Sequence, residues 1–238
     1  MSSRGDNITP KERAQPLERI AHRGAKREFP ENTLAAFDRA FQRGADAIEL
    51  DVHATKDGVV VVHHDPSSQA IPLAGRAIAS CLWNDVRRVD LGSGIGIPRL
   101  ADVLAAVPST ATVYVGIKGI DIERAVVEVI RQSSARCAVH SFNHEAIAHL
   151  REIAPEIPRG ILFDDSTRDV LHIMKATGAR DVWPHWKLID ASLVSTIHGA
   201  GGRVIAWTVN EPHVAQRLID IGVDGLCSDD VRLLPPKK

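Results

Sequence analysis

The run "DAIELDVHA" places Glu49, Asp51 and His53 two residues apart. Side chains of a strand alternate between its faces, so these three share one face. Two inward carboxylates repel each other unless positive charge stands between them. A hard divalent cation such as Mg²⁺ or Ca²⁺ takes carboxylate oxygens readily. Ordinary ion pairs with lysine or arginine are the other solution, and the two residues alone leave both open. His22 and Arg23 end the run "ERIAHR", while His63, His64 and Asp65 end "VVVVHHDP". Imidazole titrates near neutral pH, which makes His22 and His64 candidates for proton transfer. The guanidinium of Arg23 matches paired phosphate oxygens, and Lys118 adds a second cation. Carboxylates, imidazoles and fixed cations together suit the chemistry of a phosphate ester.

Such residues need a frame that brings them together. Eight short β-rich runs, "ERIAHR", "DAIELDV", "TVYVGIK", "RCAVHS", "RGILF", "DVWPHW", "RVIAWTV" and "DGLCSD", alternate with helix-length segments. This rhythm predicts a (β/α)₈ TIM barrel, whose active site lies at the C-terminal ends of the strands. There the third run supplies Lys118, the fourth His140, the sixth His185 and the seventh Trp207, with Asn210 beyond it. Helices are bounded by polar caps and by Gly44 or Pro155, and Asp65 is expected to cap the turn at Pro66. From Ala54 to Arg99 the second connection is too long for a simple loop. It reads as an insertion capping the barrel mouth, starting with a hairpin turn at Asp57-Gly58. Its "GSGIG" segment lacks the strand-turn-helix setting of a phosphate cradle and reads as linker. Residues 1–18 form a polar segment ahead of one domain, 19–238.

Composition narrows the partners. The 238-residue chain carries 25% charged residues and a formal net charge of -1, so no overall field favours nucleic acid or an anionic membrane. Cys81, Cys137 and Cys227 are odd in number and far apart, as expected of reduced thiols. No run reaches the ~20 apolar residues of a membrane span, and the N-terminus has no apolar leader core. A cytoplasmic location without membrane insertion is the expectation.

The segments "AHRGAKREFPENTLAAF", "GADAIELDVHATKDGVVVVHHDP", "IPRLADVL", "HSFNHEAIAHLREIAP", "AWTVN" and "GVDGLCSDD", in this order, resemble the glycerophosphodiester phosphodiesterases. The resemblance implies metal-dependent hydrolysis of a small glycerol-linked phosphodiester to glycerol phosphate and an alcohol. It casts His22 and His64 as the acid/base pair, Arg23 and Lys118 as phosphate contacts, and Glu49 and Asp51 as ligands of Mg²⁺ or Ca²⁺. Glu31 and Asn32 match the family's Glu-Asn pair beside the site, although Asn32 also reads as a helix cap. His140, His185 and Trp207 are candidates for the alcohol pocket, and core packing accounts for Trp207 equally well.

One position departs. The family pattern on the third strand is Glu-x-Lys, its glutamate a third metal ligand, whereas this chain has Gly116-Ile117-Lys118. A weakened metal site follows, and Gly116→Glu is expected to restore it. Two rival readings remain: a phosphodiester-binding protein without turnover, and a barrel lyase using Lys118 as a Schiff-base nucleophile.

Overall fold

The computed structural model describes residues 16–69, 73–165 and 169–235. Most of the N-terminal polar segment, residues 1–15, lies outside the described residues, and the first strand is β1 (Glu18–His22). After it come α1 (Leu34–Gln42), β2 (Ala47–Ala54) and a short β3 (Val60–Val62). The remaining strands are β4 (Thr112–Ile117), β5 (Arg136–Ser141), β6 (Arg159–Phe163), β7 (Asp181–Pro184), β8 (Arg203–Ala206) and β9 (Gly225–Ser228). All but β3 are parallel neighbours, and β1 pairs with both β2 and β9, closing an eight-stranded barrel. The eight strands are those expected from the sequence.

Helices α2 (Trp83–Val86), α3 (Leu100–Ala106), α4 (Glu123–Arg131), α5 (His144–Ile153), α6 (Val170–Thr177), α7 (Ala191–Gly199) and α8 (Pro212–Asp220) fall between the strands. The apolar stripe of each long helix meets the outward rows of the strands. Leu50, Val52, Val113, Val115, Val139, Ile161, Val182 and Val204 belong to this outer core. The inward rows form a second core of Ile20, Ala47, Tyr114, Ala138, Leu162, Trp183, Ile205 and Cys227. Burial on both faces is why the strands read as near-continuous apolar runs.

Between β2 and α3, β3 folds back antiparallel on β2, with Val62 opposite Val52. The segment behind it has a small core of its own around Leu73, Ile78, Val86 and Ile97. Within it, the amides of Gly92 and Gly94 donate to Asp90 Oδ1 at 2.8 and 3.1 Å. The "GSGIG" stretch is thus wrapped around its own carboxylate. All three cysteines are free thiols.

At the N-terminal end of the barrel the inward rows start with charge. Arg203 donates to Glu18 at 2.7 Å and Asp181 at 3.3 Å, and Tyr114 Oη donates to Glu18 at 2.6 Å. Asp181 is fully buried, and Arg180 supplies its second ion pair at 2.5 Å. Burial and the neighbouring carboxylates raise the Tyr114 hydroxyl far above its ordinary range, so it stays a donor. Charge at this end of a barrel serves stability rather than catalysis. Arg203→Met takes a cation from each of two carboxylates and leaves Glu18 with Tyr114 and Asp181 with Arg180. Breaking such a buried pair costs about 3–5 kcal/mol, and partial exposure of the guanidinium places the loss at the lower end. Chemical denaturation is expected to show that loss with kcat unchanged; an unaltered unfolding midpoint would contradict it.

Candidate active site

At the opposite end the same inward rows continue into polar residues. Parallel register places His22 beside Glu49, Asp51 beside Gly116, and Gly116 beside His140. Each lies an even number of residues from a core position on its strand, His22 from Ile20, Glu49 from Ala47 and His140 from Ala138. The alternation that fills the barrel with side chains therefore also delivers these groups to its mouth.

The turn after β1 is unusually constrained. Arg23 and Asn32 adopt φ of 58° and 59°, and Gly24 φ of +83°. A Cβ on Gly24 would stand 2.7 Å from the backbone of Ala36, so the turn can lie against α1 only with glycine there. Asn tolerates the left-handed region; Arg does so at a cost, a pattern common at functional sites. The backbone is held by Arg23 N donating to Glu49 O at 2.9 Å and Asn32 N to Arg23 O at 3.0 Å.

Thr33, not Asn32, caps α1, its Oγ1 accepting from Ala36 N at 3.3 Å. Asn32 instead turns to Asp51, donating from Nδ2 to Oδ2 and accepting from the Asp51 amide, both at 3.3 Å. Asp51 also carries two cations. Arg23 Nε lies 2.9 Å from Oδ2, off the hydrogen-bonding axis, and Lys118 Nζ lies 3.4 Å from Oδ1. Glu31 ion-pairs with Arg23 at 2.9 Å and with Lys26 at 3.0 Å, so it tethers two cations at the rim. Burial opposes the charge on Arg23, but Asp51, Glu31 and Glu49 outweigh it and raise its pKa.

Glu49 is buried. Its Oε1 is 3.3 Å from His140 Nε2, and its Oε2 has no hydrogen-bond partner among the described residues. Burial alone would raise its pKa; the hydrogen bond from His140 and the charges of His22, His140 and Arg23 outweigh that and hold it below the usual range. His140 is only 2% exposed, its ring edge-on to Trp183 at 4.5 Å. It stands under the mouth against Glu49 rather than on the wall of an alcohol pocket.

His185 and Trp207 belong to a different group, with Phe142. The Trp207 ring meets His185 at 5.5 Å and Phe142 at 5.4 Å, both edge-on, and Lys118 Nζ lies 5.4 Å from the Phe142 centroid. Phe142 was not among the residues expected from sequence; its place one residue past the end of β5 was the available signal. Trp207 Nε1 donates to Trp183 O at 2.9 Å, which ties it to the barrel core as well as to this aromatic group.

His64 is brought to the same rim by β3. His63 N donates to Asp51 O at 2.9 Å, and His53 Nε2 lies 3.0 Å from His64 O. The His64 ring pairs with Asp65 at 2.8 Å, which gives Asp65 a task other than capping the turn at Pro66. Burial lowers the pKa of His53 and His63, which suits neutral, structural rings. Burial, with Glu49 and Asp229 nearby, pushes the Cys227 thiol well up and makes it a poor nucleophile.

The sequence reading also passed over Asp229, 2.6 Å from His22 Nδ1. It follows Cys227 by two residues at the end of β9, so the same alternation predicts it. Burial opposes its ionisation, but the His22 hydrogen bond, the charges of His22 and Lys26, and Asn210 lower its pKa far below the usual carboxylate range. Among the described residues, no three His, Cys, Asp or Glu side chains are gathered as a ready-made metal cluster.

The sequence and the fold have known counterparts. A glycerophosphodiester phosphodiesterase of Caldanaerobacter subterraneus subsp. tengcongensis is 32% identical over 90% of this chain and 95% of its own. One from Bacillus altitudinis is 30% identical over 88% and 93%. An Oleispira antarctica phosphodiesterase, solved in complex with the product sn-glycerol-3-phosphate, superposes with a TM-score of 0.85 at 26% identity, over 92% of this chain and 95% of that one. Residues 22–233 match the glycerophosphoryl diester phosphodiesterase family, so the match runs from His22 on the first strand to just past Asp229 on the last, and the chain belongs to that family.

Proposed function

We propose that the chain hydrolyses glycerophosphodiesters to glycerol phosphate and an alcohol at the mouth built on Glu49 and Asp51. The observation that carries this reading is the convergence of two imidazoles, two buried carboxylates and two cations on one rim. Arg23 and Lys118 hold the phosphate and offset charge developing on its oxygens. His22 and His64, each with a carboxylate partner, move protons to and from the attacking and leaving oxygens. His185, Trp207 and Phe142 border the alcohol, and Glu31 keeps Arg23 and Lys26 in place.

Members of the family generally depend on a divalent metal. The buried, unpartnered Oε2 of Glu49 fits a cation, and oxygen donors suit Mg²⁺ or Ca²⁺. Glu49 and Asp51 would hold it, with Gly116 contributing nothing. When bound, such an ion supplies Lewis-acid polarisation of a phosphoryl oxygen. Lys118 is ion-paired with Asp51 rather than set in an apolar pocket, a placement that suits a phosphate contact better than a Schiff-base nucleophile.

A screen of glycerophosphocholine, glycerophosphoethanolamine, lysophospholipid and bis(p-nitrophenyl) phosphate against Mg²⁺, Ca²⁺ and Mn²⁺ tests the reading. Metal-dependent release of glycerol phosphate supports it; tight binding without turnover selects the binding-protein reading instead. The segment 54–99 is taken to roof the mouth and to favour small head groups, so lysophospholipid should be the poorer substrate. Arg23→Lys loses a planar fork worth one charge-assisted hydrogen bond, ~1.5 kcal/mol, and should raise KM ~10-fold. An unchanged KM would remove Arg23 from the phosphate.

A further inference from the structure

We propose that Asp229 is the positioning residue of His22: it fixes the neutral ring as the Nδ1–H tautomer, so that the Nε2 lone pair faces Glu49 across the mouth. The proposal rests on His22 carrying proton transfer in the reading above. His22 Nδ1 lies 2.6 Å from Asp229 Oδ1, and on the other side of the ring Nε2 lies 4.0 Å from Glu49 Oε2. The first distance is a hydrogen bond. The second is too long for one, and Glu49 Oε2 is a buried oxygen with no hydrogen-bond partner among the described residues. A carboxylate only accepts, so the proton of the neutral ring belongs on Nδ1. Every proton that enters or leaves the ring then does so at Nε2. As Nε2 accepts a proton from an oxygen nucleophile, the imidazolium formed keeps Nδ1–H on Asp229, and the same proton departs from Nε2.

Asp229 is itself held in one orientation. Asn210 Oδ1 accepts from the Asp229 amide at 3.0 Å and from Ser228 Oγ at 3.1 Å. The Asn210 amide nitrogen must therefore face the other way, where it donates to Asp229 Oδ2 at 2.8 Å. Lys26 Nζ stands 3.5 Å from Oδ1. The loop after β8 thus sets the carboxylate, and the carboxylate sets the ring on β1.

This arrangement makes an unusual demand of two substitutions. In Asp229→Asn the new amide must turn its oxygen to Asn210, because Asn210 can only donate there. The 2.8 Å hydrogen bond outweighs the longer contact of Lys26 with a neutral amide. The amide nitrogen then faces His22 Nδ1 and donates to it, which forces the proton onto Nε2, the wrong atom. Asp229→Ala removes the constraint without imposing the wrong tautomer. The near-isosteric change should therefore be the more harmful one, the reverse of what a packing role predicts.

The experiment measures kcat and KM for glycerophosphocholine with the parent chain, His22→Ala, Asp229→Asn and Asp229→Ala. It adds ¹⁵N NMR of the His22 ring in the parent chain at a pH where the ring is neutral, with His22→Ala identifying the signal. Asp229→Asn should lower kcat by ~10²-fold or more with little change in KM, and Asp229→Ala by less. The parent ring should carry its proton on Nδ1. An Nε2–H tautomer in the parent overturns the proposal even if neither variant folds. So does an alanine variant slower than the asparagine one, or two variants that match the parent while His22→Ala is inactive. Parental turnover in His22→Ala would instead overturn the proton-transfer reading of His22 itself.

Discussion

His22→Ala and His64→Ala are each expected to lower turnover of glycerophosphocholine by ~10²-fold or more, the usual size of a lost acid or base. His22 is part-buried between Asp229 and Glu49, so its loss removes a group from the centre of the mouth. His64 stands just past the end of β3, its ring paired with Asp65 alone among the described residues, and its loss leaves little packing behind. Stability should therefore barely change in the His64 variant, while the catalytic losses are comparable. Steady-state kinetics with circular dichroism checks both. Near-parental kcat in either variant would return that histidine to a structural role.

Gly116→Glu carries the second large effect, a loss of stability that the sequence does not announce. A Cβ on Gly116 would stand 3.0 Å from His140 Nε2, 3.1 Å from Leu50 O and 3.3 Å from Asp51 Oδ1. The space is occupied. His140 cannot easily withdraw, since its ring is packed on Trp183 and lies beside Tyr114. Overpacking of this kind costs about 1–3 kcal/mol, and Gly116→Ala should show most of that by itself. Glutamate further adds a third carboxylate beside Glu49 and Asp51. We expect Gly116→Glu to unfold at a lower denaturant concentration than the parent chain in EDTA and to regain part of the loss in Mn²⁺ or Mg²⁺. Ligands that bind only the folded state stabilise it by mass action. Pairing the change with His140→Ser should relieve the crowding. If Gly116→Glu alone is as stable as the parent chain in EDTA, the crowding account fails.

The barrel was legible because its signal is periodic. Each strand of the closed sheet appeared as a β-rich run, and alternation alone placed Glu49 with Asp51 on the inward face. Pairwise matters were less visible. Asn32 looked like a cap because its chemistry suits one; only the fold reveals that Thr33 takes that task and that Asn32 is drawn to Asp51, 19 residues away. Asp229 escaped for a different reason: alternation from Cys227 turns it inward, but its partner lies 207 residues earlier and nothing local names that partner. Gly116 was read as a vacancy, and the occupant proved to be His140 on the next strand, which the sequence had assigned to an alcohol pocket. Alternation predicts which way a side chain points but not which neighbour has already claimed the volume.

The apolar layer of Ile20, Tyr114, Trp183, Ile205 and Cys227 divides the inside of the barrel into two electrically separate compartments. Below it lie Glu18 and Asp181 with Arg180 and Arg203, whose charges balance one another; above it lie the groups of the mouth. The lower compartment does not need the upper one for neutrality. Substitutions at the two ends should therefore combine additively, within about 0.3–0.5 kcal/mol, as distant sites without shared partners do. The floor can lend the chain robustness while the mouth is rewritten residue by residue, so a departure such as Gly116 could arise in one compartment without being answered in the other.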